Sequence, residues 1–205
     1  MGLYNTYILP KVIDWACKQK PNKRQREKVV PLAFGNVLEI GIGSGLNLPF
    51  YDTGKVKHLL GIDTSQEIWD IHRSDTKTLN FSFDFIKASA ENIPEDNDTF
   101  DSVVITYTLC SISDLSKTFE EIRRVLKPGG TLIFCEHGKA PDANIAKWQN
   151  RLDPVWSRLG GGCHLNREIP KIISENGFKL DILNEMYIPG WKPASYNYWG
   201  TGKQI

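Results

Sequence analysis

The sequence predicts an α/β fold: a doubly wound, seven-stranded, mostly parallel sheet with a small helical cap. Short apolar segments alternate with helical segments from Asn36 onward, which is typical of parallel strands joined by crossover helices. The first apolar segment runs directly into three closely spaced glycines, and the second ends at Asp63. A length of 205 residues suits a single domain over 1–205.

The composition is that of a globular protein, with 40% hydrophobic and 24% charged residues. A formal net charge of +1 argues against a strongly basic nucleic-acid-binding protein, so we expect no nucleic-acid partner. No segment approaches the roughly 20 apolar residues of a membrane-spanning helix, and we identify no signal peptide. Four widely spaced cysteines without a CxxC pair indicate reduced thiols and a cytoplasmic location.

The N-terminal region (1–30) combines an apolar helix with a basic segment. Tyr4 to Cys17 is predicted to be a helix with Pro10 in or near its first turn. Its apolar residues at helical spacing are Ile8, Val12, Ile13 and Ala16. Lys18 to Lys28 contains six basic residues and one Glu. This basic segment is either a solvated helix face or a weak patch for an anionic surface.

The remaining elements follow from periodicity and turn residues. Strands are predicted over 36–43, 57–65, 82–90, 100–109 and 130–138, and helices over 115–130 and 166–176. The last two strand-like segments, 178–188 and 195–203, are close enough in sequence to pair antiparallel. The segment 139–165 is too long for a plain loop, and we expect it to add the helices of a cap.

The strongest chemical signal is the glycine turn after the first strand. Gly41, Gly43 and Gly45 allow the backbone to turn tightly and to approach a ligand closely. Asp63, eighteen residues after Gly45, can accept hydrogen bonds from both hydroxyls of a ribose. Leu46 stands where the dinucleotide fingerprint requires a third glycine, so the pattern predicts a nucleoside rather than a dinucleotide. Glu39 suits a ligand with a positively charged amino group.

Four segments resemble the motifs of class I S-adenosylmethionine-dependent methyltransferases, which have a Rossmann-like fold. They are LEIGIGSG (38–45), GIDTS (61–65), SAENIPEDNDTFDSVV (89–104) and LKPGGTL (126–132). The resemblance implies S-adenosyl-L-methionine as cofactor. It also implies cofactor contacts from Glu39, Gly41, Gly43, Gly45, Asn47, Asp63, Thr64, Ser89, Ala90, Glu91, Thr106 and Tyr107. Most relatives have Asp where this chain has Ser89, so the side-chain hydrogen bond to the adenine amine is expected to be weaker here.

Three further segments resemble a branch that contains thiol methyltransferases and bacterial phosphatidylethanolamine N-methyltransferases. They are YILPKVIDWA (7–16), TLCSI (108–112) and GGCHLNR (161–167), similar to the lid helix, the acceptor-side turn and the cap of that branch. The resemblance implies methyl transfer to a small, fairly apolar acceptor, either an alkyl thiol or a phospholipid amine. We expect no hydrophobic leader of the kind found in membrane-anchored members, and therefore at most peripheral membrane contact, through Lys18 to Lys28.

Glu136 and His137 are the candidate catalytic residues. They end the fifth strand, at the edge where ligands bind in open α/β sheets. A carboxylate beside an imidazole can accept a proton from the methyl acceptor, although either residue could instead hydrogen-bond the cap. Strand alternation would point their side chains to opposite faces.

No metal site is predicted. The spacings of the candidate ligands Cys110, Cys135, His137, Cys163 and His164 match no structural zinc pattern. Cys163 and His164 are instead expected to line the acceptor pocket or to be structural.

Two other functions remain open at this point. An NAD-dependent oxidoreductase is disfavoured by Leu46. A catalytically silent protein that binds S-adenosylmethionine, or a membrane-associated adaptor, would have the same nucleoside site without turnover.

Overall fold

The computed structural model describes residues 8–71 and 79–205. The strands are β1 (Gly35–Ile40), β2 (Val56–Asp63), β3 (Ser82–Lys87), β4 (Phe100–Thr106), β5 (Leu126–His137), β6 (Phe178–Tyr187) and β7 (Tyr196–Gln204). The α-helices are α1 (Leu9–Cys17), α2 (Lys20–Val29), α3 (Gln66–Trp69), α4 (Leu115–Val125), α5 (Ala143–Leu159) and α6 (Ile169–Glu175). The predicted start of the first helix, Tyr4 to Tyr7, lies outside the described residues.

The seven strands form one sheet in the order β3-β2-β1-β4-β5-β7-β6. The pairs β1–β2, β1–β4, β2–β3 and β4–β5 are parallel, whereas β7 is antiparallel to both β5 and β6. The predicted fold class and the predicted antiparallel pair at the end of the chain are therefore confirmed. The carboxyl ends of β1, β2 and β4 meet at one edge, which is where a doubly wound sheet binds its ligand.

Each face of the sheet is buried by different helices because strand side chains alternate between faces. Leu38 of β1 belongs to one apolar cluster, which also contains Phe119 of α4 and Ile173 of α6. Val37 belongs to a second cluster, which contains Val29 of α2 and Trp69 of α3. The central strands thus lie between two cores, as their nearly continuous apolar sequences require.

Several boundaries differ from the predicted ones. The helix α4 begins at its N-cap Asp114, whose side chain accepts a hydrogen bond from the Lys117 N–H, and it ends at Val125 rather than near residue 130. Pro128 disfavours a helical conformation at the residue before it, and the chain is already extended from Leu126. The predicted helix over 166–176 begins three residues later, at Ile169.

The segment 139–165 contains one long helix, α5, rather than several helices. Gln149 of α5 is fully buried and ties the segment to its surroundings. Its Nε2 lies 2.9 Å from each of three carbonyl oxygens, and its Oε1 accepts a 2.9 Å hydrogen bond from the Ala140 N–H. The three carbonyls belong to Gly138, Leu165 and Pro193.

The helix α1 exposes most of the apolar residues that the sequence analysis placed on one face. Of the predicted stripe, Ile8 and Val12 are 52% and 48% exposed and Ala16 is also exposed, whereas Ile13 is half-buried. Outside the stripe, Leu9 is buried and Trp15 is 68% exposed. The buried side is therefore rotated by about one residue from the predicted stripe. Over residues 8–71 and 79–205, none of the helices has the length and apolar character needed to cross a membrane.

Candidate active site

The glycine turn after β1 adopts the conformation that its sequence predicts. Gly41, Gly43 and Gly45 have φ angles of +70°, +56° and +80°, in the left-handed region that favours glycine. A Cβ atom on Gly41 would lie 2.2 Å from Oγ1 of Thr108. Glycine at position 41 therefore allows the turn after β4 to pack directly against the turn after β1.

Asp63 joins the end of β2 to this glycine turn. Its Oδ2 accepts a hydrogen bond from the Gly43 N–H, and its Oδ1 accepts one from the Ser65 N–H, both over 2.9 Å. Burial raises the pKa of Asp63, although these backbone hydrogen bonds favour the carboxylate. Each oxygen keeps a second lone pair for a ligand hydroxyl.

Glu39 is a buried carboxyl group whose hydrogen-bond donors are neutral. Its Oε1 accepts from Asn47 Nδ2 over 2.9 Å, and its Oε2 accepts from the Tyr51 hydroxyl over 2.6 Å. Asn47 also donates to Oγ1 of Thr106 over 3.0 Å. Burial raises the pKa of Glu39 to about 7 in spite of these hydrogen bonds. A cationic ligand group beside it would offset this cost of burial.

Arg26 of α2 reaches the same cavity, and the sequence analysis assigned it only to the basic segment. It is 4% exposed, and its guanidinium lies 4.9 Å from the centre of the Tyr107 ring. Its Nη1 donates to the Cys17 carbonyl over 2.7 Å, while its buried Nε has no partner among the described residues. No feature of the sequence distinguishes Arg26 from the five other Lys and Arg residues of the basic segment.

These groups surround a cavity of about 350 Å³ at the carboxyl edge of the sheet. It is lined by eleven of the twelve predicted cofactor contacts: Glu39, Gly41, Gly43, Asn47, Asp63, Thr64, Ser89, Ala90, Glu91, Thr106 and Tyr107. Gly45 lines an adjoining cavity of about 210 Å³, which shares Arg26 and Cys17 with the first. The hydroxyl of Ser89 donates to the Glu91 carboxylate over 3.1 Å and accepts from the Glu91 N–H over 3.2 Å.

Glu136 and His137 are not among the described residues that line this cavity. Glu136 is fully buried, and its Oε1 accepts hydrogen bonds from the N–H groups of Thr108 and Leu109 over 2.7 and 2.9 Å. Burial raises the pKa of Glu136 to about 7. It therefore contacts the turn after β4, where Tyr107 has a φ of +54°.

His137 belongs to a cluster that the sequence spacing did not predict. Its Nε2 lies 3.2 Å from Cys163 Sγ, and its Nδ1 is buried without a partner among the described residues. The ligand atoms of Cys110, His137 and Cys163 all lie within 4.8 Å of one another. A hydrogen bond from Cys110 and the neighbouring His137 lower the pKa of Cys163 to about 4, against the effect of burial. His164 instead pairs with Asp153 over 2.8 Å.

Comparison with known proteins identifies the family. A family model described as a methyltransferase domain matches residues 38–134. Thiol S-methyltransferase TMT1B of Rattus norvegicus is 35% identical over 172 residues, which cover 82% of this chain and 68% of that protein. Thiol S-methyltransferase TMT1A of Homo sapiens is 33% identical over 170 residues, which cover 80% of this chain and 69% of that protein.

Solved structures show the same fold at low identity. A methyltransferase from Thermotoga maritima has a TM-score of 0.69 at 18% identity and covers 99% of this chain and 100% of its own. Geranyl diphosphate methyltransferase, solved in complex with S-adenosylmethionine, has a TM-score of 0.70 at 12% identity. The match covers 90% of this chain and 86% of that protein.

The chain belongs to the class I S-adenosylmethionine-dependent methyltransferases. It is an enzyme that uses S-adenosyl-L-methionine to methylate a small acceptor. The oxidoreductase and the catalytically silent binding protein, which the sequence had left open, are set aside by this membership.

Proposed function

We propose that the acceptor is a small thiol and that the enzyme is a thiol S-methyltransferase. The relatives at 33–35% identity that carry this name support the proposal. The observation that carries it is the cavity wall away from the predicted cofactor contacts. Most of that wall is small or apolar: Ile13, Cys17, Ser111, Ile112, Ser113 and Gly161. The carboxylate there, Asp14 of α1, accepts a hydrogen bond from the Ser44 hydroxyl.

This acceptor wall is continuous because three elements meet there. A Cβ built on Gly161 would lie 3.1 Å from Leu9 and 3.6 Å from Ile13 of α1. A Cβ built on Gly162 would lie 3.4 Å from the Ser111 carbonyl in the turn after β4. An apolar thiol fits such a wall better than a charged ammonium group, which would lose its hydration there.

The other side of the cavity fits S-adenosyl-L-methionine. We propose that Asp63 binds the ribose hydroxyls and that Ala90 lies against the adenine. The carboxylate form of Glu39 and the guanidinium of Arg26 have opposite charges in the same cavity, so they would bind the ammonium and the carboxylate of the amino-acid end. Because the Ser89 hydroxyl is engaged with Glu91, we propose that adenine recognition rests on shape rather than on that hydroxyl.

When bound, S-adenosyl-L-methionine supplies a methyl group that the acceptor sulfur takes with its own lone pair, leaving the electrons of the broken bond on the donor sulfur. The residues of this chain bind and orient the two partners, which can supply about 7–11 kcal/mol of the barrier. The acceptor must first lose its proton, because the thiolate is the nucleophile. We propose that this proton passes to solvent, since Glu136 and His137 lie outside the cavity wall.

The test is a transfer assay with the purified chain and methyl-labelled S-adenosylmethionine. Matched acceptors would be a short alkyl thiol, the alkylamine and alcohol of equal chain length, and phosphatidylethanolamine vesicles. We expect label in the thiol alone, at a rate that rises as the pH approaches the pKa of the free thiol, about 8.5. If label appeared only in the phospholipid amine, the acceptor would be that amine and not a thiol.

We further propose peripheral contact with membranes and a reducing, cytoplasmic location. The exposed Trp15 lies beside a basic segment from which Arg26 is withdrawn into the cavity, leaving Lys18, Lys20, Lys23, Arg24 and Lys28 exposed. The four cysteines are free thiols, which suits a reducing compartment. Sedimentation with anionic vesicles tests the contact, because a salt-sensitive interaction should weaken at high ionic strength.

A further inference from the structure

We propose that Cys110, His137 and Cys163 form a binding site for a thiolate-preferring transition metal ion of the Zn²⁺ class. Three separate elements bring these side chains together. Cys110 lies in the turn after β4, His137 is the last residue of β5, and Cys163 follows α5. Their ligand atoms lie within 4.8 Å of one another.

The spacing of the three ligand atoms is close to that of a metal centre. Zinc binds sulfur at about 2.3 Å and imidazole nitrogen at about 2.0–2.1 Å, so two ligands of a tetrahedral ion lie roughly 3.6 Å apart. His137 Nε2 and Cys163 Sγ are 3.2 Å apart. The third ligand, Cys110, needs only a small side-chain adjustment because it is already within 4.8 Å of both.

The chemistry of the donor set selects the ion. Two thiolates and one imidazole are typical ligands of zinc and of other borderline or soft ions, whereas magnesium and calcium require oxygen ligands. A divalent cation would neutralise the two thiolates, one of which, Cys110, is buried. The indole N–H of Trp156 donates to Cys163 Sγ over 3.4 Å, as outer-shell donors do to metal-bound sulfur.

Such an ion would connect the segment after α5 to the sheet. No fourth Cys, His, Asp or Glu joins the group within residues 8–71 and 79–205, so one coordination position is left for water or another small ligand. Ser111 and Gly161, which lie near Cys110 and Cys163 in sequence, line the main cavity. A bound ion would therefore stabilise the position of the acceptor wall from outside the cavity. The site itself does not depend on the identity of the acceptor.

The experiment measures metal binding directly on the reduced, full-length protein after removal of metals with a chelator. Zinc is titrated against a chromophoric competitor, and cobalt is then substituted, because thiolate-to-cobalt absorption reports sulfur ligation. We expect one equivalent of zinc, thiolate-to-cobalt bands, and a higher melting temperature with metal. Fewer than about 0.2 equivalents of zinc and no such bands in the wild-type protein would overturn the proposal.

Variants separate the cluster from the other cysteines. Cys163→Ser, Cys110→Ser and His137→Asn should each weaken zinc binding by more than about a hundred-fold. Cys135→Ser, outside both the group and the main cavity, is the matched control and should retain the affinity. Binding of S-adenosylhomocysteine to each variant checks that it is folded. Zinc binding that survives all three cluster substitutions would contradict the assignment, whichever acceptor the enzyme methylates.

Discussion

Glu136 and Thr108 are joined by a 2.7 Å hydrogen bond from the backbone N–H of Thr108 to the Glu136 carboxyl group. The same oxygen accepts from Leu109. The bond holds the turn after β4 against the end of β5, immediately after Tyr107 in its left-handed conformation. Tyr107 and Thr108 both line the main cavity, so a buried carboxyl group outside the cavity positions part of its wall.

We therefore expect the effect of a Glu136 substitution on stability to depend on whether the new side chain can still accept these hydrogen bonds. Glu136→Ala leaves the N–H groups of Thr108 and Leu109 without their acceptor. The Leu109 group is buried, so the free energy of unfolding should fall by at least about 1–3 kcal/mol. Glu136→Gln keeps an accepting oxygen and should lose much less. Urea denaturation of both variants measures this. A loss of methyl transfer by about 10²–10⁴ in Glu136→Gln, with stability and donor binding unchanged, would instead support a general base.

Asp63 should contribute to donor affinity. Asp63→Ala removes a carboxylate that can bind ribose hydroxyls, so it should weaken S-adenosylhomocysteine binding by about 1.5–3 kcal/mol, the range for hydrogen bonds to a charged group. Titration calorimetry measures the change. Asp63→Asn, which retains an acceptor for the Gly43 N–H, is the control and should lose less. An unchanged affinity in Asp63→Ala would remove Asp63 from the site.

Glu39 should make the ligand-free protein less stable as the pH rises. Its folded-state pKa of about 7 lies above the ordinary 4.5, so its favourable contribution is complete below pH 4.5 and is lost as the pH rises through 7. The loss amounts to about 3 kcal/mol. The groups that act on it are Tyr51, Asn47, Arg26 and Asp63.

The measurement is the free energy of unfolding from pH 5 to 8 for the wild type and for Glu39→Gln. Because the other titrating groups are common to both proteins, the difference between the two curves isolates Glu39. We expect the wild type to lose stability relative to the variant as the pH rises. Parallel curves would show that Glu39 does not titrate in this range.

Gln149 should be essential for the attachment of the segment 139–165. Gln149→Leu leaves three carbonyls and the Ala140 N–H without their partner, and each unpaired buried group costs about 1–3 kcal/mol. We expect at least about 4 kcal/mol of destabilisation by chemical denaturation. Gln19→Leu, at an exposed glutamine in the turn between α1 and α2, is the control and should change stability by less than about 1 kcal/mol. Similar losses in both variants would contradict this role.

The fold was predictable because its signals are local. Alternating strands and helices, the glycine turn and the acid at the end of β2 are each contained in a few consecutive residues. Eleven of the twelve predicted cofactor contacts line one cavity for the same reason: they follow the carboxyl ends of parallel strands, which meet at one edge. The orientation of α1 was less predictable, because its apolar residues cover more than half of the helix surface, leaving one side to Lys11 and Asp14.

The parallel sheet, the nucleoside pattern of Gly41 to Asp63 and the methyltransferase motifs can all be recognised in short stretches of sequence. Three features emerge only in the folded chain: Arg26 enters the cavity, Glu136 binds the backbone of a neighbouring turn, and Cys110, His137 and Cys163 converge. These features depend on contacts between residues that are far apart along the chain. Local periodicity cannot report contacts between residues that are tens of positions apart and that meet only when β4, β5 and α5 have packed.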